Sequence, residues 1–121
     1  MWLLALLPFR ALYVLSDGFC FLMHYIVNYR RKVVRNNLHN AFPEKSEAEL
    51  REIECKFYRY ICDYMLEEVK MLRMSFKELC RRMEYDNKEE YLAMIEKHGG
   101  IVLVIPHYAN FEWITGMSSI M

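Results

Sequence analysis

Ile101-Val-Leu-Val-Ile105, followed at once by Pro106-His-Tyr-Ala-Asn-Phe-Glu112, is the stretch on which the fold turns. A short apolar, β-branched run of this kind reads as a buried strand. The residues after it put His107 at the strand's end and Glu112 five positions later, in the expected first turn of the next helix. On one continuous helix, residues five apart lie on different faces. Across a strand–turn–helix corner they can meet, and the product is an imidazole steered by a carboxylate.

Outward from that corner the pattern is helical. Asn87 caps a helix over Lys88 to Lys97 with Tyr91, Leu92 and Ile95 inward, closed by Gly99-Gly100. Helix, Gly-Gly turn, apolar strand, corner and new helix together predict an α/β fold with its site at a strand's carboxyl end. Ser75-Phe-Lys-Glu78 is a capping box that starts a short helix to about Arg82, and Met83–Asp86 reads as a short edge strand. A second box, Ser46-Glu-Ala-Glu49, opens a long amphipathic helix. Its apolar face is expected at Leu50, Ile53, Phe57, Ile61, Met65, Val69 and Leu72. The opposite face carries Lys56, Arg59, Asp63, Glu67 and Lys70. Asp63 and Glu67, one turn apart, suit metal or acid–base chemistry by spacing, but Arg59 and Lys70 beside them favour a solvated, ion-paired face.

The 121 residues are 55% hydrophobic and 26% charged, with a formal net charge of zero, so no global attraction to nucleic acid is implied. Cys20, Cys55, Cys62 and Cys80 show neither Cys-x-x-Cys pairing nor metal-ligand spacing and read as reduced, mostly buried thiols. No cofactor or metal is expected.

The apolar weight lies in residues 1–29, where no positive charge precedes the hydrophobic run and no small-x-small cleavage site comes after it, against a signal peptide. From Pro8 to Tyr29 a helix would be about 33 Å long, enough to cross a bilayer core. Arg10, Asp17 and His24 interrupt it at seven-residue spacing, a narrow polar stripe that Arg31 extends. The helix either spans with that stripe against protein or lies in the interface with it toward water. Arg30, Arg31, Lys32 and Arg35 come next, where a patch for anionic headgroups would sit; if the helix spans, they put the downstream chain on the cytoplasmic side. The rest of this connector ends at the helix break Phe42-Pro43.

An H-x4-E pair has a specific use. Glu112 can accept a hydrogen bond from one imidazole nitrogen, and the other nitrogen of His107 then takes the proton of a hydroxyl attacking an acyl carbonyl. As a bare pattern it also matches many capping or core pairs. His98, before Gly99-Gly100, reads as a helix-end residue, and His39 as a turn residue. Trp2 and Trp113 are candidates for marking membrane-interface depth.

The chain resembles the lysophospholipid acyltransferase superfamily, and within it the late acyltransferases of bacterial lipid A biosynthesis. The resemblance runs through Leu7–Asp17, Tyr29-Arg-Arg-Lys-Val-Val-Arg-Asn-Asn-Leu38, Phe42-Pro-Glu-Lys-Ser46, Phe57-Tyr-Arg59 with Asp63 and Glu67, and the His107–Glu112 motif. It implies residues 1–29 as a membrane-anchoring helix, 30–45 as a basic connector and 46–121 as the N-terminal part of an acyltransferase domain. It implies a location on the cytoplasmic face of the bacterial inner membrane and transfer of a fatty acyl chain from acyl carrier protein to a hydroxyl of a lipid A precursor. His107 would be the general base, Glu112 its orienting partner, and Asn110 and Phe111 would shape the substrate pocket.

Two departures matter. The family usually has glycine where this chain has Ala109; if that position needs a positive φ, alanine costs roughly 1 kcal/mol. Members are also much longer, and the arginine expected to hold the acceptor's phosphate is not among these residues, so the chain reads as a fragment, inactive alone. The reading from another class is a non-catalytic, membrane-tethered helical interaction module, with His107 and Glu112 serving only as a structural corner.

Overall fold

The computed structural model describes residues 2–84 and 86–114. They fall into two compact units, Met1–Arg73 and Met74–Met121. The first contains α1 (Trp2–Leu6), α2 (Phe9–Phe21), α3 (Arg31–Ala41) and α4 (Glu47–Met71), with α2 running on into a π-helical turn, Leu22–Ile26. The 25-residue α4 is the spine, and the other three helices pack on it. It starts as its sequence dictates. Ser46 Oγ accepts from Glu49 N–H at 3.4 Å while Glu49 Oε2 accepts from Ser46 N–H at 2.9 Å.

The buried face of α4 differs from the expected one. Leu50, Glu54, Tyr58 and Cys62, four residues apart, point inward, while Phe57, Met65 and Leu72 are exposed. The partner decides this. Helix α2 and its π-turn bury Leu12, Ser16 and His24 rather than a purely apolar edge. Glu54 is 2% exposed and His24 3%. Glu54 Oε1 accepts from Arg31 Nε at 2.7 Å and Oε2 accepts from Arg35 Nε at 2.9 Å, while His24 Nε2 lies 3.3 Å from Oε1. The imidazole stacks on the Tyr58 ring at 4.6 Å, and the Tyr58 hydroxyl donates to the Tyr29 carbonyl. Burial alone would raise the Glu54 pKa, but the two guanidinium hydrogen bonds and their charge reverse that and hold it below the ordinary 4.5. Alongside, Cys20 and Cys62 are hydrogen-bonded, and burial pushes the Cys62 thiol up to about 11. All four cysteines are free thiols, but only Cys62 is fully buried and Cys55 is exposed.

A membrane-spanning helix from Pro8 to Tyr29 is not supported. Among the described residues no single helix is long and apolar enough to cross a membrane. The chain turns by 90° between Phe9–Ile26 and Arg31–Ala41, through Asn28 and Arg30 in the left-handed region at φ 52° each. Such conformations cost about 1 kcal/mol for an L residue. Two contacts hold the corner against that cost: Arg31 Nη1 donates to Asn28 Oδ1 at 3.0 Å, and Tyr58 grips the Tyr29 carbonyl. The polar stripe divides accordingly. His24 is buried against α4, Asp17 is 66% exposed and 3.8 Å from Arg59, and Arg10 is exposed.

Glu67 and Lys70, expected on a solvated face, tie α4 to its neighbours. Tyr13 donates to Glu67, and Lys70 Nζ donates to the carbonyls of Ala5 at 2.9 Å and Leu7 at 2.7 Å, satisfying the frayed end of α1.

The second unit contains α5 (Phe76–Arg82) and α6 (Lys88–His98). Ser75 caps α5 by accepting from Glu78 N–H at 3.2 Å, but the Glu78 carboxylate turns to Arg81 and Arg82 instead of closing the box. Asn87 precedes α6 at φ 56° without a side-chain cap, and Gly99 at φ 74° ends it, as the Gly-Gly pair predicts. The α/β expectation is not confirmed: among the described residues there is no strand. Residues 101–105 have no regular secondary structure, with Val102 91% and Val104 88% exposed. A β run becomes a strand only when a neighbour takes its backbone groups, and no described segment does. The edge strand expected at Met83–Asp86 is likewise absent at Met83 and Glu84, and Tyr85 lies outside the described residues.

Candidate active site

The corner begins where the apolar run 101–105 meets Pro106. Tyr108 N–H bonds back to the Pro106 carbonyl at 2.9 Å, a tight turn that leaves the His107 side chain exposed at its bend. Ala109 comes next at φ 51°, the left-handed region that favours glycine. Asn110 then opens a short 3-10 turn, Phe111–Ile114, by accepting from Trp113 N–H at 3.0 Å. The expected helix thus begins as a 3-10 turn, and residues 115–121 lie outside the described ones.

His107 and Phe111 are brought together, ring centroids 4.3 Å apart. Glu112 is half-buried on the 3-10 turn. Asn110 and Phe111 line an open cleft of about 360 Å³ with Pro106, Tyr108 and Trp113. Trp113 is buried in this unit, so it is a packing residue there rather than a marker of membrane depth. The cleft's other wall is Arg82, whose Nε donates to Glu78 Oε1 at 2.7 Å. The sequence reading missed Arg82, because nothing in the local pattern ties the end of α5 to a corner some twenty-five residues on. The arrangement offers a solvent-accessible imidazole beside a mostly apolar cleft with an amide and a guanidinium on its walls.

The whole pattern, from the first helix to this corner, has a match. The family model for bacterial lipid A biosynthesis acyltransferases covers residues 1–117, and the chain belongs to that family. Over 112 residues it is 28% identical to the lipid A biosynthesis lauroyltransferase of Escherichia coli (strain K12), an alignment covering 93% of this chain and 37% of that protein. The chain therefore spans little more than a third of the length of the relative it matches. No solved structure matches it.

Proposed function

We infer that this chain is the part of a lipid A precursor O-acyltransferase that carries the general base. The family match over residues 1–117 is the observation that supports this most strongly. In the reaction, His107 takes the proton of an acceptor hydroxyl as its oxygen attacks the carbonyl of an acyl thioester on acyl carrier protein. The new C–O bond forms, the C–S bond breaks, and the proton on His107 passes to the departing thiolate. Glu112, accepting from the other imidazole nitrogen, fixes the tautomer and stabilises the imidazolium. Asn110 and Phe111, on the cleft wall, position the acyl chain.

The protein works at the cytoplasmic face of the bacterial inner membrane. The outward side of α2 and its π-turn supports this: Val14, Leu15, Phe21, Leu22, Tyr25 and Ile26 are all exposed, while His24 is inside. With Arg10 and Asp17 the only charged residues exposed on α2, this outward side is far more apolar than that of a water-facing helix. The same apolar surface favours the second reading, a membrane-tethered interaction module without catalysis.

One experiment separates the two. Residues 1–112 are grafted in place of the corresponding part of the Escherichia coli lauroyltransferase, and acyl transfer to the lipid A precursor is measured. The expected result is an active chimera that loses about 10²–10⁴-fold in rate on His107→Ala and less on Glu112→Gln, with circular dichroism unchanged. Full activity in a folded His107→Ala chimera would leave only the module.

A further inference from the structure

The stripe of α4 that its sequence marks as most apolar is not its buried one, and it lines a groove. Phe57, Ile61 and Met65 form one wall of an apolar groove of about 510 Å³, and Phe19, Met23 and Val34 form the other. The volume lies within the range of sites that hold small organic ligands. Tyr58 and Cys62 close its floor, both buried. At the groove's lip stands Arg30, its guanidinium 5.9 Å above the Tyr29 ring.

Arg30 also lines a second concavity, of about 500 Å³, with Arg31, Lys32 and Arg35. Glu54 engages Arg31 and Arg35. Among the described residues Arg30 and Lys32 pair with no carboxylate, so the one buried negative charge leaves this surface strongly positive. An apolar channel whose mouth opens onto unbalanced cations is complementary to one kind of molecule: a hydrocarbon chain carrying an anion at its end. A bare acidic protein surface would use the cations and leave the groove empty. A neutral lipid would fill the groove and leave the cations unanswered.

We propose that this groove and its basic mouth hold one molecule of an anionic membrane phospholipid, an acyl chain among Phe57, Ile61 and Met65 and the phosphate between Arg30 and Lys32. The site rests on the membrane-surface location proposed above; all its lining residues belong to the first unit, whereas His107 belongs to the second. Arg31 and Arg35 have a double role. Through Nε they bind Glu54, and their charge remains in the concavity where the phosphate sits. Tyr58, which carries the stacked His24 and grips the Tyr29 carbonyl, is part of the floor. Lipid in the groove thus presses on the same residues that hold the α2–α3 corner.

The test uses the whole chain and two soluble short-chain lipids below their micelle concentrations, dioctanoyl phosphatidylglycerol and dioctanoyl phosphatidylcholine, with binding read by calorimetry. The expected result is one bound phosphatidylglycerol, held at least tenfold more tightly than phosphatidylcholine and weakened by added salt. Removing two headgroup charges, Arg30→Asn with Lys32→Gln, should weaken phosphatidylglycerol about 30-fold and leave phosphatidylcholine unchanged; asparagine tolerates the left-handed backbone that Arg30 adopts. Met65→Trp, at an exposed lip, should weaken both lipids by filling the groove. Equal affinity for the two lipids, or indifference to Met65→Trp, overturns the proposal. Co-sedimentation with vesicles of mixed phosphatidylglycerol and phosphatidylcholine separates the remaining cases. Vesicle binding without monomeric-lipid binding overturns the groove and leaves the membrane location standing, and no vesicle binding at all removes both.

Discussion

Arg31 reaches across from α3 to place its Nε 2.7 Å from the buried Oε1 of Glu54, so a residue of the basic block is an internal clamp. With Arg35 on the second oxygen and His24 3.3 Å from the first, Glu54 has a partner on both carboxylate oxygens. This is the arrangement a buried charge requires. It also joins three segments that local sequence does not connect: the π-turn, α3 and α4.

Removing the negative charge should therefore unsettle the first unit. Glu54→Gln should cost about 3 kcal/mol in urea unfolding. The acid limb gives a second check. The carboxyl is held below its ordinary 4.5, so on acidification the unfolded chain takes up this proton before the folded one does. Its contribution is complete above 4.5 and is lost as pH falls through the lowered value. In Glu54→Gln that part of the acid destabilisation should be missing. A parallel acid limb in both proteins would show that the clamp does not operate.

Within the polar stripe Asp17 and His24 should behave differently. Asp17 and its neighbour Arg59 are both largely exposed and 3.8 Å apart. Asp17→Leu should shift stability by under about 0.5 kcal/mol. His24→Leu loses the stack on Tyr58 and a partner of Glu54 and should cost about 2 kcal/mol. Chemical denaturation of the two variants side by side measures this, and a large loss at Asp17 would contradict the burial pattern.

Local signals were legible, and choices between competing faces were not. The Ser46 box, the Gly99 stop and the helices they bound follow from capping chemistry, which is set by adjacent residues. The inward face of α4 was not readable in the same way. Two stripes run along it, and the more apolar one, Phe57–Ile61–Met65, loses to Leu50–Glu54–Tyr58–Cys62 because the facing π-turn and α3 bring His24, Arg31 and Arg35. Hydrophobic periodicity cannot anticipate a polar partner from elsewhere in the chain. The 101–105 run shows the converse: its composition is that of a strand, but strandedness belongs to a pair, and no described segment supplies the second member. At the corner, Asn110 and Phe111 line the cleft, and the guanidinium of Arg82 on it could be found only in three dimensions.

Lys70 offers a test of how α1 is held. Its ammonium donates to two carbonyls at the end of α1 and lies 5.7 Å from the Phe9 ring centroid. Lys70→Met keeps the stem and removes both bonds, at a cost of about 1–2 kcal/mol. Because α1 has only five residues, the loss should be local. Hydrogen exchange should accelerate over residues 2–7 while α4 stays protected. Unchanged exchange there would mean that packing alone secures the segment.

Ala109 is the most direct link between backbone and candidate chemistry. Its φ of 51° sits two residues after His107 and one before Asn110, in the turn that sets the direction of both side chains. An L residue there carries strain of about 1 kcal/mol that glycine relieves, offset in part by the greater freedom glycine gives the unfolded chain. Ala109→Gly should thus stabilise the second unit by up to about 0.5 kcal/mol. Ala109→Val, with a branched Cβ, should destabilise it by about 1–2 kcal/mol. In the grafted chimera the glycine variant should retain or raise acyl transfer and the valine variant should lose it. The measurement is turnover alongside the melting curve of the same samples. If valine lowered stability without touching turnover, the left-handed turn would be a matter of folding alone, and the alignment of His107 would have to come from elsewhere.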